Sequence, residues 1–579
     1  MLEKETETRA PGETSHADGP GAPAKSEARR RRKAGWVVFL LAVACASVNV
    51  TKAVHIDDSG DLEIARGIRQ DPLHPMRHEF LWHGDSPEPA FRTNQPHLLF
   101  YLQALLLAVF GESELAQHLL MALIVWGGLW VFYLLARLLA PDAALFLTAL
   151  FALGPSLLPG QNIMTDAPLT ALWMLFYWAL FSAREERQGS RASGYLAASV
   201  AAAAAGLVKY SSLVLIVVFL IVIVMRRHWR FMWVVIVPVG AQVAYGAFTW
   251  YDFGAVHVLA RATPPLAVWR MGFRCADWIV GLGAIAPFTL AFLSWSNLKR
   301  LSGWILMASV VDGLVVCAVC RMVYHHAWGN SLFLGFFFGN GVFCLSLIAR
   351  GAIHGFATRR LEFRGWNEDN IILLLWLLSG FCFIVLFAPD MAIRHILPVV
   401  PAVLLLLARN LRSFVERRWA MAALAATAAL GFLLAIADWR TADVYRKAPS
   451  AILRQLPPGS RVWQVGHWGW QWYAEKAGML QYCATSSVLN RGDYLIIPFG
   501  VFRQAIADRD KAVLKEAQRM RIEGDGAMWF RTMYVHGGEE GGSAGYYAYS
   551  LRFGEPPWRF QTGPLEEFII LRSFSDHEG

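Results

Sequence analysis

Charged residues are scarce in this chain. Asp, Glu, Lys and Arg together make up 17% of its 579 residues, and hydrophobic residues make up 56%. Because soluble globular domains are nearer a quarter charged, this composition excludes an ordinary soluble protein. The alternating apolar and polar pattern of a membrane β-barrel is also missing. Backbone polar groups in lipid need internal partners, so the sequence predicts a polytopic α-helical membrane protein.

Cysteine is also rare, and its placement argues against a disulfide framework. Five of the seven Cys lie in apolar segments, where a thiol packs as a small hydrophobe. The motif "CAVC" at 317–320 has no flanking His or charge, so we interpret it as packing and not as a metal or redox site. Cys275 and Cys483 lie outside these segments, and we predict no disulfide between them.

A concentrated basic surface is missing as well. The net charge is +9, but the Lys and Arg residues are spread over short loops between apolar runs. Nucleic acid is therefore not an expected partner. Membrane lipids are the expected surroundings instead, because basic residues near the ends of membrane helices mark the cytoplasmic side.

Long apolar runs recur along the first three quarters of the chain. Runs of about 18–22 residues are long enough to cross a hydrocarbon core of about 30 Å as a helix. The run at 96–111 is short for a span and follows a long loop, so we interpret it as a helix lying at the outer interface. We predict about thirteen spans, namely 35–54, 114–138, 141–159, 165–183, 194–209, 211–226, 231–250, 277–295, 303–323, 330–349, 370–388, 394–409 and 419–437.

The distribution of charge predicts the orientation. With the N-terminus inside, almost every basic cluster of the membrane part falls in an inner loop, beginning with "RRRRK" before the first span. Residues 1–34 are polar and are predicted to be a disordered cytoplasmic tail. The odd number of spans places the C-terminus in the periplasm, in a protein of the bacterial inner membrane. Residues 35–440 form the predicted transmembrane domain.

Residues 441–579 differ in kind from the membrane part. "SRVWQVGHWGWQWYAEKAGML" followed by "GDYLIIP" predicts a strand, a helix and a strand. "YYAYSLRFG" and "EEFIILRSF" alternate like half-buried strands. The sequence therefore predicts a small C-terminal extracytoplasmic α/β domain. The tryptophans of its aromatic-rich stretch could stack on sugars, but a mixture of domain core and membrane-facing residues is the simpler interpretation for Trp463, Trp468, Trp470 and Trp472.

Paired acids follow the first span directly. Asp57 and Asp58 lie in "HIDDSGDLEIARGI", and a helix through this stretch would place Asp57 and Asp61 on one face. A helix cap is the simpler interpretation for one acid alone. A general base at the lipid–water boundary is the functional interpretation, and we predict that Asp57 and Asp58 are catalytic. Asp166, at the start of the fourth span, could likewise be a helix cap, and we predict that it contacts the substrate.

Cationic and aromatic residues occur at the same outer side. Lys209 and Tyr210 interrupt an apolar stretch, and Arg394 and His395 begin another. Such cations could simply reach lipid headgroups. They are also suited to binding a phosphate, so we predict substrate contacts for all four and for His97. A metal site at His325 and His326 is disfavoured because adjacent His residues rarely chelate one ion well.

These residue types together meet the needs of glycosyl transfer from a lipid phosphate. A leaving phosphate needs stabilising positive charge, and an acceptor hydroxyl must lose its proton to a base. The predicted partners are a polyprenyl-phosphate sugar donor and a lipid, glycan or protein acceptor. The sequence identifies no cofactor, and it leaves open whether the protein uses a divalent metal ion.

Five motifs in order resemble the membrane-embedded GT-C glycosyltransferases. They are "IDDSGDLEIARGI", "NQPHLLFYLQALLLAVFG", "TDAPLTALWML", "GLVKYSSLVL" and "RHILPVVPAVLLLLA". The resemblance is to the group that contains protein O-mannosyltransferases, lipid A aminoarabinose transferases and the RgtA/B/C/D-like enzymes. It implies that Asp57 is the base, that Asp166 lies near the acceptor or a metal, and that Lys209 and Arg394 lie near the donor phosphate. The chain departs from the aminoarabinose transferases in having Asn94-Gln95, where those enzymes carry Glu-Lys.

Two other classes of protein remain as alternatives. A transporter or flippase of a lipid-linked or small polar substrate should show broken helices at mid-membrane and related halves. A structural or assembly protein should tolerate replacement of Asp57.

Overall fold

The chain is described by a computed structural model that covers most of its length. The described residues are 22–82, 85–93, 95–184, 188–261, 266–294, 298–299, 303–358, 366–410, 416–524, 529–535 and 543–575.

Helices account for most of the described residues up to Leu453. The helices are α1 (Ala22–Asn49), α2 (Asp58–Gln70), α3 (Leu98–Phe110), α4 (Glu114–Leu139), α5 (Ala144–Ala152), α6 (Asp166–Ser182), α7 (Gln188–Val208), α8 (Val214–Met225), α9 (Ile236–Phe253), α10 (His257–Ala260), α11 (Val268–Ala284), α12 (Gly303–Met322), α13 (Trp328–Thr358), α14 (Trp366–Phe387), α15 (Ile393–Ile396), α16 (Val400–Asn410), α17 (Arg417–Leu453), α18 (Trp468–Lys476) and α19 (Asp508–Val513).

Eight helical stretches among the described residues are long and apolar enough to cross a membrane. They are Arg32–Asn49, Glu114–Leu139, Arg191–Val208, Trp229–Phe253, Gly303–Met322, Trp328–Ile353, Glu368–Phe387 and Arg417–Leu453. Each overlaps a predicted span, which confirms the predicted class of helical membrane protein. The predicted number of thirteen spans is not established.

The other predicted spans are shorter or interrupted, for reasons that the sequence contains. The predicted span 141–159 holds α5, which ends at Ala152 before a turn-rich stretch containing Gly154 and Pro155. The span predicted at 277–295 divides where α11 ends at Ala284 and a 3₁₀ segment begins at Pro287. Proline removes a backbone donor and clashes with the preceding turn, so these runs bend without losing their apolar character.

The structure also bears on two other predicted segments, the N-terminal tail at 1–34 and the interfacial helix at 96–111. Helix α1 already begins at Ala22, so the predicted disordered tail over 1–34 is helical from Ala22, and residues 1–21 lie outside the described residues. Helix α3 has 13 residues. At 1.5 Å per residue it spans about 20 Å, which is too short for the hydrocarbon core and consistent with an interfacial position.

The C-terminal part contains a five-stranded sheet. The strands of the chain are β1 (Glu79–Phe80), β2 (Glu88–Pro89), β3 (Val462–Gln464), β4 (Leu480–Gln481), β5 (Tyr494–Pro498), β6 (Leu514–Glu523), β7 (Phe530–Arg531), β8 (Met533–Val535), β9 (Ser543–Gly545), β10 (Arg559–Phe560) and β11 (Pro564–Ser573). The sheet has the order β4-β3-β5-β11-β6, with β3 parallel to β4 and β5 and β11 antiparallel to β5 and β6. The predicted strand–helix–strand over β3, α18 and β5 is confirmed, as is the strand predicted at 566–574.

The stretch "YYAYSLRFG" at 546–554 does not form the predicted strand. It consists of turns with isolated bridges, and its buried aromatic residues belong to the core of the membrane helices. Its backbone is hydrogen-bonded to the membrane part of the chain instead. The N–H of Ile393 donates to the carbonyl of Tyr546 at 3.0 Å, and the N–H of Tyr549 donates to the carbonyl of Met391 at 3.0 Å.

We call residues 529–535 and 543–560 the inserted segment. Its Trp558 Nε1 donates to the carbonyl of Ala284 at 3.1 Å, and the N–H of Leu551 donates to Asp277 at 2.6 Å. Gly281 of α11 leaves the room that the segment needs, because a Cβ there would lie 1.8 Å from the Tyr549 hydroxyl. The C-terminal part is therefore joined to the membrane part by shared packing, and α17 runs without a break across the predicted domain boundary at 441.

Candidate active site

Asp57 lies where the chain turns from α1 into α2. The residue before it, Ile56, has a φ of +48°, and Asp57 is the N-cap of α2. An Nη1 atom of Arg394 donates to Asp57 Oδ2 at 2.6 Å, and both side chains keep some exposure, 24% for Asp57 and 16% for Arg394. Two residues predicted as base and phosphate ligand, which are far apart in the chain, are therefore in direct contact.

Asp166 and Lys209 form a second ion pair. Asp166 opens α6, and Lys209 follows α7 in an extended conformation, with a φ of −156°. Lys209 Nζ lies 2.7 Å from Asp166 Oδ1. The helical conformation is interrupted at Lys209, between α7 and the 3₁₀ turn at Tyr210–Leu213. This interruption allows the lysine side chain to reach Asp166.

Both ion pairs line one cavity of about 430 Å³. Its wall combines polar groups with the apolar side chains Phe383, Ile384 and Phe387 of α14. Five of the predicted site residues line it, namely Asp57, Asp166, Lys209, Arg394 and His395, and Asp61 and Trp468 line it as well.

The cavity is also lined by cations that were not predicted from the sequence. Arg92 and Arg261 line it together with the acids Glu88 and Asp390. The Arg261 guanidinium lies 5.4 Å from the ring centroid of Tyr210, and its Nε is buried without a hydrogen-bond partner among the described residues. Burial lowers the pKa of Arg261. No local signal distinguishes these arginines from other loop arginines, because only the fold brings them to the cavity.

Asp58 has a different environment from its neighbour. It is fully buried, and it is absent from the cavity lining. Its Oδ2 accepts the N–H of His55 at 3.0 Å, and its Oδ1 accepts the N–H of Ile163 at 2.8 Å. Burial raises its pKa to about 8. The structure therefore corrects the predicted pairing of Asp57 with Asp58, since Asp58 braces two backbone segments while Asp57 faces the cavity.

Asp61 lines the cavity together with Asp57. It lies one helical turn after Asp57, as the predicted helix face requires, and its Oδ2 has no hydrogen-bond partner among the described residues. Burial, followed by the charges of Asp57 and Asp58, raises its pKa well above the ordinary value. A buried carboxyl of this kind can carry a proton close to a substrate.

His97 and Tyr210 lie behind the cavity wall, and neither is among its lining residues. The hydroxyl of Tyr210 is 2.7 Å from Nδ1 of His257, whose Nε2 is 2.9 Å from the carbonyl oxygen of Thr93. His97 is buried beside His257, with ring centroids 6.3 Å apart. These two predicted substrate contacts therefore support the wall in this structure, whereas His395 lines the cavity directly.

The donor set does not fit a metal ion. Among the described residues no group of three or more His, Cys, Asp or Glu side chains is placed to hold one. Nε2 of His326 instead lies 3.1 Å from the carbonyl oxygen of Leu551. We therefore derive no chemical step through a metal.

Residues 94–248 match the family model described as dolichyl-phosphate-mannose-protein mannosyltransferase. Three of the five motifs lie inside this match, and those of Asp57 and Arg394 lie outside it. The match confirms the predicted resemblance to membrane-embedded GT-C glycosyltransferases and does not favour the transporter or flippase alternative.

Solved structures of three such enzymes are similar at low identity. ArnT from Cupriavidus metallidurans bound to undecaprenyl phosphate is 14% identical, with 93% of this chain and 98% of that chain covered and a TM-score of 0.39. The oligosaccharyltransferase AglB from Archaeoglobus fulgidus is 13% identical, with 81% and 70% covered and a TM-score of 0.43. The arabinofuranosyltransferase AftD from Mycobacteria is 13% identical, with 95% and 42% covered and a TM-score of 0.37. No curated protein sequence matches the chain significantly.

Proposed function

We propose that this membrane protein of GT-C resemblance transfers a sugar from a polyprenyl-phosphate donor to an acceptor at the extracytoplasmic face. The observation that carries the proposal is the single cavity that holds acids and cations from distant parts of the chain, namely Asp57, Asp166, Lys209 and Arg394. A carboxylate base and positive charge for a leaving phosphate are the two requirements of this reaction.

The cationic side of the cavity is suited to the donor phosphate. Lys209 provides an ammonium point charge, and Arg261 and Arg394 provide planar guanidinium groups that can bind two phosphate oxygens each. Arg261 lines the cavity, and its buried Nε has no hydrogen-bond partner among the described residues. The apolar side chains Phe383, Ile384 and Phe387 give the polyprenyl chain a path, and Phe387 is 46% exposed on its helix.

The acidic side of the cavity is suited to the acceptor. In the proposed step the Asp57 carboxylate takes the proton of an acceptor hydroxyl, whose oxygen attacks the anomeric carbon of the sugar. The bond between that carbon and the phosphate oxygen breaks, and polyprenyl phosphate leaves with the bonding electrons. Attack opposite the leaving group gives inversion. Arg394, at 2.6 Å from Asp57, orients the carboxylate and lies close enough to stabilise the new phosphate charge.

The proposed location is the bacterial inner membrane, with the N-terminus in the cytoplasm and the sheet-containing C-terminal part in the periplasm. The basic clusters of the loops support this orientation. The acceptor is a lipid, a glycan or a protein, and the transferred sugar is a hexose or a pentose.

The test is transfer from a panel of radiolabelled polyprenyl-phosphate sugars in membranes that contain wild type or variants. We expect Asp57→Asn to abolish transfer at an unchanged protein level, because the amide cannot accept the proton. Asp142→Asn is the matched control, since Asp142 is exposed and absent from the cavity lining. Arg261→Gln should weaken binding of every donor in the panel.

Two results would contradict the proposal. Absence of transfer by wild type from every donor would remove the glycosyltransferase assignment. Full transfer by Asp57→Asn would remove Asp57 as the base and direct attention to Asp61.

A further inference from the structure

Two residues of the cavity lining have a strained backbone conformation. Four non-glycine residues of the described chain have a positive φ, and these are Ile56, Arg227, His325 and Trp468. Ile56 and Trp468 both line the cavity. A β-branched or bulky side chain at positive φ is an outlier, and such strain persists where the surroundings enforce it, often at functional sites.

Contacts of the neighbouring residues place Trp468 beside the turn that leads to Asp57. It opens α18 with a φ of +64°. The next residue, Gly469, is pressed onto the chain that leads to Asp57, since a Cβ there would lie 2.3 Å from the carbonyl oxygen of Val54. The side chain of Trp468 is half-buried and packs between the core of the membrane helices and the core of the sheet.

Its neighbouring tryptophans have other roles. Trp463 donates to Asp493 at 2.9 Å, and Trp470 donates to the carbonyl of Val465 at 2.9 Å. Trp472 lies under the cations of Arg66 and Lys476. Among the four tryptophans of this stretch, Trp468 alone is a lining residue of the cavity.

We propose that the indole of Trp468 stacks on the sugar ring of the lipid-phosphate donor, an inference that rests on the function proposed above. A sugar presents a face of C–H groups, and an extended aromatic ring offers that face a large apolar contact and a negative π surface. Tyr547 is another aromatic residue of the cavity lining. Its hydroxyl donates to Asp438 at 2.7 Å and accepts from Asn162 at 2.7 Å, which holds the ring in place.

Glycine at position 468 separates this role from a purely structural one. Glycine adopts positive φ without steric cost, so Trp468→Gly relieves the backbone strain while removing the ring. If Trp468 only joins the two cores, the variant changes stability and leaves recognition of the sugar intact. If the indole contacts the sugar, the variant loses recognition of the sugar and keeps recognition of the phosphate.

The experiment measures binding of two probes to purified full-length protein in lipid nanodiscs. The probes are undecaprenyl phosphate and the undecaprenyl-phosphate sugar that wild type transfers from the panel described above. We expect wild type to prefer the sugar-bearing lipid and Trp468→Gly to lose roughly tenfold of that preference, with unchanged affinity for bare undecaprenyl phosphate. Trp468→Phe, which keeps an aromatic ring, should restore part of the preference.

The matched control is Arg227→Gly, because Arg227 also has a positive φ but is exposed and absent from the cavity lining. If Trp468→Gly fails to fold, Trp468→Leu and Trp468→Phe are compared instead, and the leucine variant should lose more of the preference than the phenylalanine variant. Retention of the preference without the ring, or equal weakening of both probes, would overturn the proposal. Absence of transfer by wild type from every panel donor would instead overturn the proposed function on which it rests.

Discussion

At the scale of the residue, adjacent acids serve different purposes. Asp57 faces the cavity and contacts Arg394, whereas both oxygens of Asp58 accept backbone N–H groups from His55 and Ile163. The difference arises because Asp58 is the first residue of α2 and is buried in the protein, while Asp57 lies at the N-cap position without a side-chain capping bond and pairs with Arg394.

We predict that Asp58→Asn destabilises the protein more than Asp57→Asn. An amide has one acceptor oxygen, so one buried N–H loses its partner at a cost of about 1–3 kcal/mol. Thermal unfolding of both purified variants in detergent checks this prediction, with Asp142→Asn as the exposed control. An unchanged midpoint temperature of unfolding for Asp58→Asn would show that the two hydrogen bonds accepted by Asp58 do not stabilise the fold.

Asp61 makes stability depend on pH. Burial, followed by the neighbouring acids, raises its pKa in the folded protein. An unfolded Asp titrates near 3.9, so the folded state binds this proton more tightly and loses stability as pH rises from about 4 towards the raised value. We predict that Asp61→Asn unfolds at a higher temperature than wild type at pH 7 and at the same temperature near pH 3.

Melting curves across this pH range, with Asp142→Asn as the matched control, check the prediction. A constant difference between Asp61→Asn and wild type at all pH values would show that the substitution acts through packing and not through the proton.

At the scale of the element, a buried ion pair joins the turn before Asp57 to α17. Lys52 pairs with Asp438, and both side chains are fully buried. Asp438 also accepts hydrogen bonds from Thr532 and Tyr547 of the inserted segment, at 2.8 and 2.7 Å. One carboxylate therefore connects the turn before Asp57, the longest helix and a wall of the cavity.

We predict that Lys52→Met lowers the free energy of unfolding by about 3–5 kcal/mol, because it leaves a buried charge without its partner. Replacing both members, in Lys52→Met with Asp438→Leu, should cost less than the sum of the single substitutions. Unfolding measurements on the double-mutant cycle check this. Additive effects would contradict the direct coupling between the two charges.

At the scale of the whole molecule, the C-terminal part contributes to the core of the membrane helices. The inserted segment supplies Tyr546, Tyr547, Tyr549 and Trp558 to the core of the membrane helices. It also supplies Met533, Tyr547 and Ala548 to the cavity. The membrane helices alone would expose an apolar surface where this segment packs.

We predict that a chain ending at Ser460 forms no stable monodisperse protein, because the contacts of the inserted segment are lost from its core. Size-exclusion chromatography and thermal unfolding of the truncated and full-length chains check this prediction. A truncated protein as stable as the full chain would show that the two parts fold independently, as the predicted boundary at 441 implies.

Much of the cavity could be predicted from the sequence because polar residues at the ends of apolar runs are conspicuous. Asp57, Asp166, Lys209, Arg394 and His395 were all predicted, and all line the cavity. Arg92 and Arg261 were not predicted as site residues, and for Trp468 a packing role was preferred to contact with a sugar, because the local sequence does not distinguish these residues from others of their type. Their placement depends on contacts between distant segments, which no local pattern records.

The sequence by itself determined that this is a helical membrane protein and where its long helices lie. It could do so because hydrophobicity and length act locally, through the cost of leaving backbone and charge in lipid. Only the tertiary structure decided which acid faces the cavity, which cations join it, and that residues 546–554 pack among membrane helices and do not form a strand. Those outcomes depend on the direction of a side chain at a strained turn and on packing between residues hundreds of positions apart, and both arise only when the chain is folded.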